Sequence, residues 1–299
     1  MTFFGIGLIQ LLPAIVSGLF SLAYDIVCGH PLYVLKTHDQ MSDEFLGLRD
    51  LVDKLMKEKG LIGFWNGYLP WGILISLTTG ISFQIGKQLV LQTYSLFFRG
   101  TPNSILTAAC AGFFESLFVS PLVLLKNRAI TKNILSCQTN NYARVSKKAD
   151  AVIISPQSSL SFVTKICHLF KGSDIFVIKR TMDWFLRHLF IDFCFKYVSN
   201  NLLINSLIGC TGCVYLTMFF DYSQTVIQSE QYKFDDSISL ITIVKTHFND
   251  KSFHDVMTKG LKYKILNTAL STIVFKDIIP VIVKFVQTQN SKHELKFDL

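Results

Sequence analysis

The chain has 299 residues, of which 50% are hydrophobic and 17% are charged, and its formal net charge is +8. Ordinary soluble domains carry about 25% charged residues, so this composition argues against a soluble globular protein, which remains the less favoured alternative. The basic residues are not interleaved with aromatic ones as in a DNA- or RNA-binding surface, and we expect no nucleic-acid partner.

Six long apolar runs contain most of the hydrophobic residues, at about 5–35, 68–98, 103–127, 181–199, 202–228 and 261–288. Each run meets or approaches the roughly 20 residues that a helix needs to cross a bilayer. Several runs are longer, which predicts tilted or kinked spans. We therefore predict an all-α membrane protein with six transmembrane helices. The polar stretch 129–157 is predicted to form a long loop.

Basic residues are concentrated in the segments that follow the first, third and fifth runs. These segments, 36–66, 126–180 and 228–264, contain 21 of the 29 lysines and arginines. Because basic loops are retained on the inner side of a membrane, this bias predicts that both chain termini lie on the opposite side. The positive net charge therefore indicates membrane topology and contact with lipid headgroups.

A short polar motif recurs near the inner ends of the first, third and fifth runs. Its copies are His30–Gln40 (HPLYVLKTHDQ), Ser120–Arg128 (SPLVLLKNR) and Phe219–Gln228 (FFDYSQTVIQ). Pro31 and Pro121 are 90 residues apart, and Phe219 follows 98 residues after Pro121. A fixed period of this kind indicates a repeat architecture. We predict three repeats, 1–100, 101–200 and 201–299, within one integral membrane domain.

These motifs resemble the pattern of the mitochondrial carrier family, in which each odd-numbered helix carries Pro-x-acid-x-x-base. The segment Lys59–Gly67 (KGLIGFWNG) resembles the glycine and aromatic motif that precedes the even-numbered helices, and Lys259-Gly260 keeps its ending. The resemblance implies six tilted helices in a pseudo-threefold bundle, with the odd-numbered helices bent at Pro31 and Pro121. It also implies short matrix-side helices at 48–59, 158–170 and 238–248.

The resemblance implies an inner, matrix-side gate in which the acid of one odd-numbered helix pairs with the base of the next. The acid positions hold Tyr33, Val123 and Asp221, and the base positions hold Lys36, Lys126 and Gln224. We therefore expect a single ion pair, Lys36–Asp221, and expect Lys126 to lack its partner because position 33 is a tyrosine. Hydrogen bonds are the alternative for the lost pairs, through Tyr33, Ser223 and Gln224.

Beneath the gate the family often places a bracing glutamine, which is matched by Gln40 and Gln228, whereas the second repeat has Ile130. An outer gate is less complete still. In the second run its acid and base positions hold Lys87 and Val90, and in the sixth run they hold Pro280 and Val283. In the fourth run the acid position holds Asp192 and the base position holds Phe195, with Lys196 one residue further on. The sequence therefore predicts no complete outer ion pair.

Solute contacts in this family lie about two turns into the even-numbered helices, which implies Leu74, Asn267 and Arg187, with His188 as the neighbour of the last. One arginine and one asparagine form a poor anion site, because a cavity needs fixed cations to hold anions. If the chain transports, we therefore expect a neutral or weakly charged solute. The alternative to a solute-binding role is that Asp183, Arg187 and Asp192 are ordinary charged residues that face a cavity or reach the membrane surface.

The resemblance also implies bound phospholipid such as cardiolipin, with candidate contacts at Gly60, Trp65, Gly67, Lys259 and Gly260. We find no catalytic motif and no cluster of metal ligands in the sequence, so neither an enzyme nor a metal protein is expected.

Two functions remain, both in the mitochondrial inner membrane with the termini on the intermembrane-space side. The incomplete gates favour a structural or accessory subunit of a larger assembly, such as a respiratory complex, in which transport is lost or reduced. The alternative is an active carrier that exchanges a small metabolite by alternating access. A carrier cycle needs gates of similar strength on both sides, so gate integrity discriminates between the two functions.

Overall fold

The computed structural model describes residues 8–42, 47–97, 103–142, 169–199, 201–229, 239–249 and 253–274, together with residue 281. Over these ranges the regular structure is entirely helical. Four helical segments are long and apolar enough to span a membrane: Ile15–Met41, Leu61–Phe97, Ser104–Lys132 and Ile204–Ile227. The predicted all-α fold with membrane-spanning helices is confirmed, whereas the number of six transmembrane helices and the division into three repeats stay predictions.

The first long helix is interrupted where proline enters it. Helix α1 (Leu8–Tyr24) leads into a π-helical turn, Asp25–Gly29, and then into α2 (His30–Met41). Pro31 has no backbone N–H to donate, and its ring collides with the carbonyl group four residues earlier, so a wider turn forms at this point. The Trp65 indole donates to the Ile26 carbonyl within this turn, at 2.9 Å.

The predicted short helix 48–59 is confirmed as α3 (Leu48–Lys59), an amphipathic helix that buries Leu51 and Leu55. Gly60 and Gly67 on either side of the following 3₁₀ turn have φ angles of 64° and 71°, which glycine adopts readily because it lacks a Cβ. A π-helical turn then leads into α4 (Ile73–Phe97).

Helix α5 (Ser104–Tyr142) is much longer than its apolar run, and it contains Pro121. The prediction of a loop from residue 129 is wrong for residues 129–142, which continue the helix. Their polar composition suggested a loop, but the sequence has no glycine or proline between Pro121 and Pro156 to end the helix. The rest of the predicted loop, 143–157, lies outside the described residues.

The remaining helices are α6 (Ser173–Tyr197), α7 (Leu202–Ile227), α8 (Leu240–Asn249), α9 (Phe253–Thr258) and α10 (Leu261–Ile273). Helix α8 corresponds to the predicted short helix 238–248. The predicted helix 158–170 and the end of the sixth run lie almost wholly outside the described residues. Helix α6 begins eight residues before its predicted run, because charged residues in its first two turns hid its start.

The long helices form a closed ring in which each one packs against its neighbours in the chain. Contacts run from α1 to α4, then to α5, α6, α7 and α10, and α10 closes the ring against α2. At the first of these interfaces the helices approach closely through glycine, because a Cβ on Gly80 would lie 2.7 Å from the backbone nitrogen of Gly18. A ring of this kind leaves a space at its centre.

Candidate functional site

The helix ring encloses a cavity of about 210 Å³. Its lining comes from both segments of the first helix and from α4, α5, α6, α7 and α10. Of the predicted solute contacts, Arg187 and Asn267 line the cavity. Leu74 does not: it is 43% exposed, and Ile75, Ser76 and Thr79 represent α4 in the lining.

Charged side chains dominate the polar part of the lining. Six described lining residues are basic: Lys36, Lys126, Lys179, Arg180, Arg187 and Lys264. Four described lining residues are acidic: Asp25, Glu115, Asp183 and Asp221. The described lining therefore carries two more positive than negative formal charges. This corrects the expectation of a site too poor in cations to hold an anion.

Asp221 is the counter-ion that several of these lysines share. Its carboxylate lies 2.7 Å from the Lys36 ammonium, 2.5 Å from that of Lys179 and 3.6 Å from that of Lys264. Gln40 also donates to it, at 3.3 Å. The predicted Lys36–Asp221 pair is thus present within a larger cluster. Sequence comparison of odd-numbered helices alone did not reveal the lysines of α6 and α10.

Further hydrogen bonds extend the network to α5. The Lys179 ammonium donates to Gln224 at 2.8 Å, and Gln224 in turn donates to Gln228 at 3.0 Å. Gln228 also accepts a bond from Asn127 at 2.7 Å, and Asn127 accepts one from the Tyr33 hydroxyl group. Helices α2, α5 and α7 are therefore joined although two of the expected ion pairs are missing.

Two expectations for this network need correction. Lys126 does not lack a partner, because its ammonium lies 3.9 Å from the Asp25 carboxylate. Asp25 belongs to the π-helical turn and also accepts a bond from Ser76 at 2.7 Å. Ser223, by contrast, does not join the network: its hydroxyl is buried and has no hydrogen-bond partner among the described residues.

The network closes one end of the cavity. On α2, α5 and α7 the lining ends at Lys36, Lys126 and Gln224, and the residues four positions further on are Gln40, Ile130 and Gln228. These three side chains are almost fully buried. Gln40 lies directly against Asp221, Ile130 packs in the core with Val34 and Leu55, and Gln228 bonds to Asn127. Solute cannot pass this end in the conformation observed.

A second polar cluster connects α5 to α6. The buried Glu115 accepts hydrogen bonds from Arg180 at 2.5 and 2.8 Å and from the Trp184 indole at 2.9 Å. The Trp184 ring stacks on Phe83, with ring centroids 4.2 Å apart. Glu115 was not singled out in the sequence because it is a lone acid within an apolar run.

Arg187 differs from the other cavity cations because it forms no salt bridge in the described part of the chain; the Asp183 carboxylate, one turn earlier on α6, interacts with it only at longer range. Its guanidinium lies over the Trp184 ring, 4.8 Å from the centroid, and its Nε atom is buried without a hydrogen bond. The residue is 6% exposed and lines the cavity. It shares a face of α6 with Lys179 and Asp183, since these residues are spaced four apart. The four-residue spacing of these charged residues was the sequence signal that could have predicted a common charged face of α6.

The residues at the predicted outer gate form no ion pair within the ranges that the structure covers. Lys87, Asp192 and Lys196 are exposed, and Lys196 lies over the Tyr197 ring. Pro280 and Val283 are outside the described residues. The absence of a complete outer ion pair therefore stays a prediction of the sequence.

The lipid-contact candidates are spread over two places. In the first repeat, Trp65 is partly exposed but uses its indole N–H for the Ile26 carbonyl. In the third repeat, Lys259 donates to the Ser42 carbonyl at 2.6 Å, and the Gly260 N–H donates to Asp39 at 3.0 Å. The Trp65, Lys259 and Gly260 donors that were predicted to contact lipid therefore form hydrogen bonds with protein groups in this conformation.

Comparison with known proteins agrees with this architecture. Residues 9–92 match the family model described as mitochondrial carrier protein. The chain is 26% identical over 125 residues to the mitochondrial transporter UCP3 of Sus scrofa, which is 38% of this chain and 40% of that protein. It is 30% identical over 115 residues to a mitochondrial 2-oxodicarboxylate carrier of Schizosaccharomyces pombe, which is 35% of this chain and 37% of that protein.

The helical fold and these partial matches show that the chain is similar to mitochondrial carrier proteins, most clearly over residues 9–92. The matched stretches span about two fifths of each relative's own length. Both relatives are named for transport.

Proposed function

We propose that the chain is a solute carrier of the mitochondrial inner membrane and that its solute is a small organic anion with two negative charges. The observation that carries the proposal is Arg187, a buried cation in the cavity that forms no salt bridge among the described residues. Charges buried in a membrane protein are costly unless paired, and those retained there usually serve a function. A bound anion supplies the missing partner.

The charge surplus of the described lining supports a dianion. Six cations against four carboxylates leave two positive charges, which a dianion neutralises and a neutral solute does not. The planar guanidinium of Arg187 suits a carboxylate or phosphate group, because its N–H donors match two oxygens at once. Trp184 covers one face of the guanidinium.

The size of the cavity supports a small metabolite. Its volume of about 210 Å³ is below the roughly 300 to 1,000 Å³ of pockets that hold drug-sized ligands. The name of the S. pombe relative, a 2-oxodicarboxylate carrier, is consistent with a dicarboxylate. The net charge, the unpaired arginine and the volume therefore all favour a short-chain dicarboxylate.

Binding of such a solute would be coupled to the closed end of the cavity through shared lysines. Lys179 and Lys264 line the cavity and also hold the Asp221 carboxylate. A solute carboxylate competes with Asp221 for these ammonium groups and so weakens the network that joins α2, α5 and α7. This provides the differential interaction between two states that alternating access requires.

The binding step is tested on the purified full-length chain in mild detergent, by thermal unfolding with a panel of solutes. The panel contains a neutral sugar, a monocarboxylate, short dicarboxylates, inorganic phosphate and a nucleotide. We expect short dicarboxylates to raise the Tm most, because they match the charge of the cavity. A ligand present at 100 times its Kd stabilises the folded protein by about 2.7 kcal/mol. Arg187→Gln should lose this stabilisation and Arg187→Lys should keep part of it.

Arg49 provides the matched control, since its side chain is 93% exposed on α3 and Arg49→Gln removes the same charge away from the cavity. Equal stabilisation by neutral and dianionic solutes, or an unchanged dicarboxylate response in Arg187→Gln, contradicts the proposed site. The accessory-subunit role is tested separately by native gels of mild-detergent extracts. Comigration with a large complex at fixed stoichiometry supports that role, and migration as the 33.9 kDa chain with detergent supports a free carrier.

We also propose that both termini face the intermembrane space, as the distribution of basic residues predicts. The glycine-flanked helix ends at Gly60–Gly67 and Gly260 are proposed contacts for cardiolipin or a similar phospholipid. Protease protection of terminal tags in intact mitoplasts tests the topology. Copurified lipid, measured by mass spectrometry for the parent and Gly260→Leu, tests the lipid contact.

A further inference from the structure

The ring of Tyr33 occupies the gate position where the repeat pattern has an acid. The Lys36 ammonium lies 4.3 Å from the centroid of this ring, and the Lys126 ammonium lies 4.5 Å from it. Both distances are within the roughly 6 Å over which an aromatic ring attracts a cation. One neutral side chain thus contacts the gate lysines of two neighbouring odd-numbered helices.

The hydroxyl group of Tyr33 makes a separate contact from its ring. Tyr33 donates to the side chain of Asn127, and Asn127 donates to Gln228 at 2.7 Å. The hydroxyl therefore belongs to the network that joins α2, α5 and α7, while the ring carries the contact with the lysines. Other partners do not replace this contact for Lys126, because its ion pair with Asp25 is long, at 3.9 Å.

We propose that Tyr33 closes the α2–α5 side of the inner gate by cation–π contact with Lys36 and Lys126, in place of an ion pair, and thereby sets the charge selectivity of the cavity. The proposal rests on the proposed function, because it takes the closed end of the cavity to be a gate. A carboxylate at position 33 would hold the same lysines but would cancel one of the two surplus positive charges. The ring holds them and leaves both charges for the solute.

The cation–π contact is tested by thermal unfolding of two variants of the full chain, each made alone and together with Lys126→Met. Tyr33→Phe keeps the ring and loses the hydroxyl, whereas Tyr33→Leu loses both but stays apolar. We expect the Leu variant to unfold at least about 3 °C below the Phe variant, from two desolvated cation–π contacts and the usual dependence of Tm on stability. In a Lys126→Met background this difference should fall by about half, because Lys36 remains.

If the Tm difference between Tyr33→Phe and Tyr33→Leu is unchanged in the Lys126→Met background, the ring contributes only packing, and the proposal is overturned. Equal Tm values for Tyr33→Phe and Tyr33→Leu would overturn it as well. If Tyr33→Leu does not fold, Tyr33→Met replaces it in the same cycle. None of these measurements needs a solute, so they stand even if the proposed transport function fails.

The selectivity part of the proposal is tested with Tyr33→Glu and the solute panel. We expect this variant to lose at least half of the dicarboxylate-induced rise in Tm and to retain or gain the monocarboxylate-induced rise, because the charge surplus falls from two to one. Tyr33→Gln is the neutral control and should keep the preference for the dicarboxylate. An unchanged preference in Tyr33→Glu contradicts the selectivity role. Absence of any anion response in the parent chain identifies a failure of the proposed function instead.

Discussion

Asp221→Asn should be the most damaging single-atom change in the cavity. The carboxylate of Asp221 is 1% exposed and lies within 3.6 Å of the ammonium groups of Lys36, Lys179 and Lys264. The amide keeps the shape of the side chain and an acceptor for Gln40, but it leaves three buried lysines without their shared counter-ion. The change therefore isolates the charge.

The expected magnitude follows from buried ion pairs in other proteins. Removing one partner of such a pair destabilises a protein by about 3 to 5 kcal/mol, because the remaining charge is buried without compensation. Asp221 compensates three charges, so we expect the upper end of this range. At roughly 2 °C per kcal/mol for a chain of this size, the Tm should fall by about 10 °C.

Thermal unfolding in detergent, followed with a thiol-reactive dye, is a suitable assay because Cys194, Cys210 and Cys213 are buried in the folded chain. Asp53→Asn is the control, since it removes a 58% exposed carboxylate that pairs with Arg49 at 3.9 Å, and such surface pairs contribute less than about 1 kcal/mol. A fall in Tm of less than about 2 °C for Asp221→Asn would refute the reasoning. Adding Lys36→Met to Asp221→Asn should recover part of the loss, because Asp221 is the acid with which Lys36 pairs among the described residues.

Two further predictions concern helix packing and the second polar cluster, both measured as Tm. Glu115→Gln should destabilise by about 3 kcal/mol, because it leaves Arg180 without its buried acid; a Tm equal to the parent's would show that this pair is dispensable. Gly80→Ala should destabilise by about 1 to 3 kcal/mol, because the new methyl group meets the Gly18 backbone. Gly212→Ala is its control, since the nearest atom would be 3.5 Å away, and equal effects of the two alanines would contradict the close approach of α1 and α4.

The sequence predicted the helical membrane fold and the short helix α3 because both depend on local patterns. Apolar runs of membrane-spanning length are visible without knowledge of neighbours, and so is the helical spacing of Leu51 and Leu55. The starts and ends of α5 and α6 were predicted less well. Lys179 and Arg180, near the start of α6, line the cavity, so counting apolar residues placed that boundary too close to the membrane centre.

The candidate site was only partly predictable, because its contacts join residues far apart in the chain. Lys36–Asp221 followed from the motif, and Arg187 and Asn267 followed from the family's spacing. Lys179 and Lys264 appeared to be loop charges, since proximity to Asp221 depends on how α6 and α10 pack against α7. The contact of Tyr33 with two lysines is likewise a property of the assembled ring, because sequence shows a missing acid but not what replaces it.

The measurement that tests the central claim most directly is uptake of a labelled short-chain dicarboxylate by liposomes that contain the purified chain. The account predicts saturable uptake that requires the parent protein, is inhibited by other small dianions and is lost in Arg187→Gln while Arg49→Gln retains it. Folded protein that takes up no anion of the panel, or uptake that is equal in the parent and Arg187→Gln, would contradict the claim that this chain is a dianion carrier anchored by Arg187.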